Sequence, residues 1–115
     1  MRRGEIWWAN LSPRSGSEQS GTRPVIIVSH DGLNMTPGWR SITVIPMTTS
    51  SRQARRGPTV AILPAGAGGL RTSGVAVCHQ LTTVDRSKLQ KRIGQLDHSL
   101  MEEVEAALRA TLGLA

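Results

Sequence analysis

The chain has 115 residues, which is the size of one small domain with a modest core, so we expect a single domain spanning residues 1–115. Fourteen Lys and Arg residues against eight Asp and Glu residues give a formal net charge of +6, which favours a polyanionic partner. A single cysteine, Cys78, excludes an internal disulfide and a cysteine-rich metal site. The chain has no apolar run of about 18 residues, so we expect no membrane span and a cytoplasmic location.

Short apolar runs rich in β-branched residues, separated by Gly, Pro and Ser, predict a series of strands. These runs occupy residues 6–9, 25–29, 41–46, 59–63 and 75–78, with a weaker one at 92–96. Many short strands in so small a chain indicate a compact barrel or sandwich. Residues 12–22, between the first two strands, are polar and rich in Gly and Ser. They predict a long loop, and long loops in small domains are commonly functional.

Two further segments between the strands have unusual compositions. Residues 50–57 predict a loop that carries Arg52, Arg55 and Arg56, which we expect to contact phosphate groups. Residues 65–74 are rich in glycine and superficially resemble a phosphate-binding loop. The Gly-Lys-Ser/Thr ending is missing and a strand follows, so we interpret this segment as a flexible connection.

One helix is predicted near the end of the chain. Asp97 is a suitable N-cap, acidic residues occupy the first half of the helix, and apolar residues recur at three- and four-residue spacing up to Gly113. Residues 97–115 hold one cation and four acids, whereas residues 1–96 hold thirteen cations and four acids. The positive charge therefore belongs to the β part, and the helix serves packing.

The titratable residues favour neither a nucleophilic cysteine nor a metal. Cys78 and His79 are adjacent and would point to opposite faces of a strand, which disfavours a Cys/His pair. The three histidines, His30, His79 and His98, have no ligand spacing, so we expect no metal site and no cofactor. A ribonuclease mechanism in which His30 and His79 act as base and acid remains an alternative.

Arg23 and Thr48 are better candidates for chemistry. Arg23 lies where the polar loop becomes a strand, and the run PMTT at residues 46–49 ends another strand with two hydroxyls. At a phosphodiester, a guanidinium neutralises the charge growing on the phosphoryl oxygens, and a threonine hydroxyl donates a hydrogen bond to the same group. The nucleophile would then be the 2′-hydroxyl of the RNA itself.

Several motifs in order along the chain resemble the MazF/PemK family of toxins. They are RGEIW at residues 3–7, GSEQ at 16–19, RPV at 23–25, PMTT at 46–49, QLTTVD at 80–85 and GQL at 94–96, followed by the acidic helix. The resemblance implies a mainly β, SH3-like (MazF/CcdB-type) barrel with a C-terminal α-helix. It also implies a homodimeric toxin of a type II toxin–antitoxin module and a cognate antitoxin whose acidic, flexible tail occupies the RNA groove.

The implied activity is metal-independent, sequence-specific cleavage of single-stranded RNA that leaves a 2′,3′-cyclic phosphate and a 5′-hydroxyl. Position by position, the resemblance makes Arg23 and Thr48 the catalytic pair. The expected substrate contacts are Ser17, Glu18, Gln19, Thr49, Arg52, Arg55, Arg56 and Gln80. Because a guanidinium hardly deprotonates in proteins, we assign Arg23 an electrostatic role. The proton acceptor stays open, with Glu18 as one alternative.

The chain has three tryptophans, at positions 7, 8 and 39. Trp7 and Trp8 would face opposite sides of a strand, so we expect one in the core and the other on a base or in a dimer interface. Trp39, in a Gly-containing loop, is expected to be exposed and to face the RNA.

Two other functions stay open as alternatives. A topoisomerase poison of the related CcdB type would act mainly through C-terminal residues and need no Arg/Thr pair. A non-catalytic nucleic-acid-binding barrel would bind RNA without cutting it.

Overall fold

The computed structural model describes residues 1–12, 16, 19–55 and 57–115. Three of the expected substrate contacts, Ser17, Glu18 and Arg56, lie outside the described residues. The strands are β1 (Glu5–Asn10), β2 (Thr22–Ile27), β3 (Ser41–Thr48), β4 (Val60–Leu63), β5 (Gly74–Val77), β6 (Thr82–Asp85) and β7 (Leu89–Gln95), and the helices are α1 (Asp31–Asn34), α2 (Ser51–Ala54) and α3 (His98–Leu112).

The strands form one antiparallel sheet in the order β4-β5-β3-β2-β1-β7, with β6 also paired to β3. The centre of the sheet is β3, which pairs with β2 along one edge. Along its other edge β3 pairs with β6 in its first half and with β5 at its end. The mainly β architecture with a C-terminal helix is therefore as predicted.

The join between β5 and β6 departs from a regular strand. Met47 pairs with Ala76, and Val44 pairs with Thr82. Three steps along β3 therefore correspond to six steps along the segment that joins β5 to β6. The surplus forms a 3-10 turn at Cys78–Gln80. A strand pattern alone does not reveal this turn, because the three extra residues matter only relative to the partner strand.

The two faces of the sheet bury different side chains. Alternation along β2 sends Ile26 to one face and Val25 and Ile27 to the other. The first face packs against α3, which contributes Met101, Val104 and Ala107. The second face is covered by side chains from the strands and by Leu11, which directly precedes the 12–22 segment. These buried residues are Ala9, Leu11, Ile42, Val44 and Leu89.

The ends of α3 confirm the predicted helix. The Asp97 carboxylate accepts a hydrogen bond from the Leu100 N–H at 2.9 Å, and Gly113 ends the helix with φ 69. None of the helices in the described part of the chain is long and apolar enough to cross a membrane.

Two sequence predictions about local structure are wrong. Residues 50–57 were expected to be a loop, but Ser51–Ala54 form one helical turn, because the Ser50 hydroxyl accepts from the Gln53 N–H. Residues 65–74 were expected to be a flexible connection. Instead Ala67–Gly69 form a 3-10 turn that packs on β7, where a Cβ at Gly94 would overlap the carbonyl oxygen of Gly68. Also, β6 was not predicted, since it is short and half polar.

Candidate active site

The pairing of β2 with β3 brings the two predicted catalytic residues together. Val25 pairs with Pro46 and Ile26 with Ile45. Continuing this register to the end of both strands places Arg23 opposite Thr48. Residues directly opposite in an antiparallel pair point to the same face, with Cβ atoms about 4.5–5.5 Å apart.

Arg23 and Thr48 line one cleft of about 150 Å³. We call it the Arg23 cleft, and its lining residues are Thr22, Arg23, Pro24, Met47, Thr48, Thr49, Leu70, Thr72, Ser73 and Gly74. One wall comes from the ends of β2 and β3, as the sequence suggested. The other comes from residues 70–74, which follow the glycine-rich turn and were not predicted to belong to the site.

The guanidinium of Arg23 is held by its inner nitrogen. Nε donates to the backbone carbonyl of Ser20 at 2.7 Å, and the side chain is half-buried. Within the described residues, Arg23 forms no ion pair. The two terminal nitrogens are therefore left to bind an anion, in the arrangement that suits two oxygens of a phosphate.

The Thr48 hydroxyl is oriented by the backbone. Thr48 is only 9% exposed, and its Oγ1 accepts a hydrogen bond from the Ser50 N–H at 3.2 Å. Since this bond uses a lone pair of the oxygen, the hydroxyl hydrogen is free to donate. Thr48 is thus a fixed hydrogen-bond donor beside a fixed cation.

The other expected substrate contacts are spread more widely. The N–H of Gln19 donates to the Gln80 side-chain oxygen at 2.7 Å, which ties the 12–22 segment to the turn after β5. Thr49 is exposed and lines the Arg23 cleft. Arg52 and Arg55 are exposed on α2 and at its end, but neither lines this cleft.

The described residues that line the Arg23 cleft include no carboxylate and no imidazole. His30 caps α1 by accepting from the Gly32 N–H, and His79 Nδ1 lies 2.9 Å from the Thr59 hydroxyl, so neither stands at the Arg/Thr pair. Burial raises the pKa of the Cys78 thiol to about 12, which keeps it protonated and unreactive. Among the residues the structure describes, no three His, Cys, Asp or Glu side chains group as metal ligands.

The tryptophans at the start of the chain separate as predicted by strand alternation. Trp7 is half-buried, and its Nε1 donates to the Glu5 carboxylate at 3.0 Å. Trp8 is 40% exposed. Trp39 is also exposed, at 38%, but it precedes β3 and lies more than about 20 Å along the strand from Thr48. Contrary to the expectation, it does not line the Arg23 cleft, and we do not place it among the RNA contacts. Its Nε1 donates to the Ser41 carbonyl at 2.6 Å.

The fold and the site together define a class of protein. A small antiparallel sheet presents a cleft lined by a hydrogen-bonded hydroxyl and by a guanidinium that forms no ion pair among the described residues, on a chain with a net charge of +6. Such a cleft suits the phosphodiester backbone of a nucleic acid. This is a basic, mainly β protein of the kind that acts on polyanions.

Comparisons with known proteins narrow the class. The family model for the PemK-like, MazF-like toxin of type II toxin–antitoxin systems matches residues 2–112. Endoribonuclease EndoA of Bacillus subtilis is 32% identical over 115 residues, covering 99% of this chain and 96% of that protein. Endoribonuclease PemK of Escherichia coli is 37% identical over 113 residues, covering 97% of this chain and 82% of that protein.

Solved structures agree with the sequence relatives. A crystal structure of MazF from Deinococcus radiodurans superposes with a TM-score of 0.80 at 27% identity, covering 99% of this chain and 97% of that one. A mycobacterial endoribonuclease in complex with its cognate antitoxin superposes with a TM-score of 0.81 at 22% identity, covering 100% of this chain and 97% of that one. The chain belongs to the PemK-like, MazF-like toxins of type II toxin–antitoxin systems. The family resemblance and the fold class inferred from the sequence are confirmed.

Proposed function

We propose that this chain is an endoribonuclease toxin that cleaves single-stranded RNA at specific sequences without a metal ion. The observation that carries the proposal is the juxtaposition of Arg23 and Thr48 across β2 and β3 in one cleft. The endoribonuclease names of the curated relatives support the reaction class. A topoisomerase poison or a simple RNA-binding protein would not need this pair.

The cleavage is an internal transfer. The ribose 2′-oxygen bonds to the adjacent phosphorus while the bond from phosphorus to the 5′-oxygen breaks, giving a 2′,3′-cyclic phosphate and a 5′-hydroxyl. One proton leaves the 2′-hydroxyl and one reaches the departing 5′-oxygen. Arg23 neutralises the charge that grows on the phosphoryl oxygens, and Thr48 donates a hydrogen bond to one of them.

Arg23 acts while protonated. A guanidinium keeps its proton in proteins, so it serves as a fixed charge in the place where a divalent ion would otherwise stand. The acceptor of the 2′-hydroxyl proton is a different group, and Glu18 stays our candidate for it. Gln19, Thr49 and Gln80 are proposed to position the RNA, together with Ser17 and the arginines Arg52, Arg55 and Arg56.

The proposal extends to an antitoxin partner and to the oligomeric state of the chain. Solved neighbours include complexes of MazE with MazF from Deinococcus radiodurans. We assign this chain a cognate antitoxin whose acidic, flexible tail covers the Arg23 cleft, because a guanidinium binds carboxylates as well as phosphates. The toxin acts as a homodimer in the cytoplasm, where its RNA substrate is.

The test is cleavage of a long RNA by the purified chain in excess EDTA. We expect cleavage to persist, and Arg23→Ala and Thr48→Val to lower its rate by about 10²-fold or more, since each removes one donor to the phosphoryl group. Two variants provide matched controls. Arg109→Ala removes a cation from the exposed face of α3, and Thr43→Val removes a hydroxyl from the same strand as Thr48.

Both controls are expected to cut at the wild-type rate. A strict requirement for a divalent ion contradicts the metal-independent mechanism. Wild-type cleavage by a folded Arg23→Ala variant contradicts the assignment of Arg23.

A further inference from the structure

A second cleft adjoins the first. It measures about 320 Å³, and we call it the Trp8 cleft; its lining residues are Trp8, Pro24, Thr49, Gly69, Leu70, Arg71, Thr72 and Ile93. Four of them, Pro24, Thr49, Leu70 and Thr72, also line the Arg23 cleft. The two clefts therefore share a wall and lie side by side.

An accessible indole ring lines this second cleft. On β1, Trp8 pairs with Pro24 of β2 on one side and with Lys91 of β7 on the other, so all three side chains point to one face. Trp8 stays 40% exposed, whereas its neighbour Trp7 is fixed by the Glu5 carboxylate. Leu70 and Ile93 add apolar surface beside the ring. A flat ring in an apolar cleft offers a stacking platform.

Two cations lie beside this platform. Arg71 lines the cleft, and Lys91 stands beside Trp8 on the neighbouring strand. Within the described part of the chain, neither cation forms an ion pair. An aromatic surface with cations at its margin is suited to single-stranded nucleic acid, because a base stacks on the ring and the cations bind the phosphates of the backbone.

We infer that the Trp8 cleft binds the nucleobase of a nucleotide next to the scissile phosphate, stacked on the indole of Trp8, with the adjoining phosphate held by Arg71. This inference rests on the proposed ribonuclease function and names a substrate subsite for it. The shared wall puts the base within one nucleotide of the Arg23 cleft. A base in a duplex is already stacked on its neighbours, so this subsite selects unpaired RNA.

The first test compares two tryptophans that are equally exposed. Trp8→Ala is expected to lower kcat/KM for RNA cleavage by about 10- to 100-fold, mostly through KM, because one base loses its stacking partner. Trp8→Phe should retain most of the activity. The control is Trp39→Ala, which removes an exposed indole at the far end of β3 and should leave kcat/KM unchanged.

Mapping the 5′ ends released from a long RNA gives a second readout. Trp8→Ala should weaken the base preference at a single position beside the cut, because one stacking contact is lost. Trp39→Ala should leave that preference intact. Equal rates and equal preferences in the two variants overturn the inference. The inference is also overturned if Trp8→Ala changes the oligomeric state of the chain, measured by light scattering, while its affinity for RNA stays at the wild-type value. The Trp8 cleft would then be a contact between two copies of the chain.

Binding without cleavage separates this inference from the proposed function. An RNA whose 2′-hydroxyls are replaced by methoxy groups cannot be cut by internal transfer, but it still stacks. We expect it to quench the tryptophan fluorescence of the wild-type chain, and Trp8→Phe to lose most of that quenching. If the wild type cuts no RNA, the proposed function fails, and the quenching experiment still decides whether Trp8 binds a base.

Discussion

At the scale of single residues, the arginines show that environment and not residue type assigns a role. Arg3 pairs with Glu105 at 2.7 Å, Arg40 with Asp85 at 2.9 Å and Arg92 with Glu5 at 2.9 Å. These guanidiniums are occupied by carboxylates and link segments that are distant in the chain. Arg23 is different because its only described hydrogen bond, to the Ser20 carbonyl, leaves its charge uncompensated.

Glu5 is a buried carboxylate with a structural role. It is 7% exposed and accepts hydrogen bonds from the Arg2 N–H at 2.9 Å, from Trp7 Nε1 at 3.0 Å and from Arg92 Nε at 2.9 Å. Burial alone raises the pKa of this carboxyl, but the three donors outweigh burial and the net pKa is lowered. The ionised form of Glu5 therefore stabilises the folded state.

Acid should remove this stabilisation. Because the pKa of Glu5 is lower in the folded chain, its contribution is complete above the pKa of an unfolded glutamate, about 4.3, and is lost as the pH falls through the folded value. Glu5→Gln is expected to lower the free energy of unfolding at pH 7 by about 1–3 kcal/mol. Its melting temperature should then fall less between about pH 5 and pH 2 than that of the wild type.

Thermal unfolding followed by circular dichroism across this pH range measures both effects. Glu103→Gln, on the exposed side of α3, is the control and should follow the wild-type curve. Parallel curves for Glu5→Gln and the wild type would show that Glu5 is not the group responsible.

At the scale of elements, the glycine-rich segment is packed as tightly as a strand. An added Cβ at Gly68 would lie 2.6 Å from the Ile6 side chain, and one at Gly69 would lie 2.7 Å from the Ile93 carbonyl oxygen. Both glycines have positive φ. The segment is therefore held between β1 and β7, and it carries Leu70 and Arg71 to the two clefts.

Gly94→Ala tests this packing. Gly94 lies in β7 outside the left-handed region, so the substitution acts through the steric overlap of its Cβ with the Gly68 carbonyl. Backbone on both sides cannot move cheaply, and we expect a loss of about 2–4 kcal/mol in the free energy of unfolding. Urea denaturation measures this loss.

Gln90→Ala, at an exposed position of the same strand, is the control and should change the free energy of unfolding by less than about 0.5 kcal/mol. A stability of Gly94→Ala equal to that of the control would mean that the glycine-rich turn can leave β7 at little cost. The wall of the two clefts would then not be rigid.

At the scale of the whole molecule, some cations form ion pairs with carboxylates and others do not. Part of the positive charge is neutralised in ion pairs with Glu5, Asp85 and Glu105. Within the described residues, Arg23, Arg71 and Lys91 form no ion pair, and they stand on or beside the two clefts. Three of the cations that lack an ion pair in the described part of the chain therefore stand where we propose that RNA binds.

RNA binding should depend on salt accordingly. For single strands, each phosphate contact contributes about −0.7 to the slope of log affinity against log salt concentration, so three contacts predict a slope of about −2. Arg71→Ala should make the slope shallower by about 0.7, and Arg109→Ala should leave it unchanged. Titration of the methoxy-substituted RNA at several salt concentrations measures the slope, and a slope near zero in the wild type would contradict electrostatic binding.

Features that depend on a few neighbouring residues were readable from the sequence. Asp97 and Gly113 bound the helix as predicted, because a cap is made within one turn of the chain. The six predicted strands are all present, since alternation of side chains is also local. The resemblance that named the family likewise used short motifs in a fixed order.

Features that depend on distant partners appeared only in three dimensions. The register of β2 and β3 sets Arg23 against Thr48, and the pairing of β1 with β7 leaves Trp8 rather than Trp7 open to solvent. The glycine-rich turn becomes a wall only because Gly94 lets it approach β7. The sequence alone determined which residues are chemically suited to a phosphodiester. The tertiary structure decided which of them meet, because a cleft is formed by contacts between segments that are far apart in the chain.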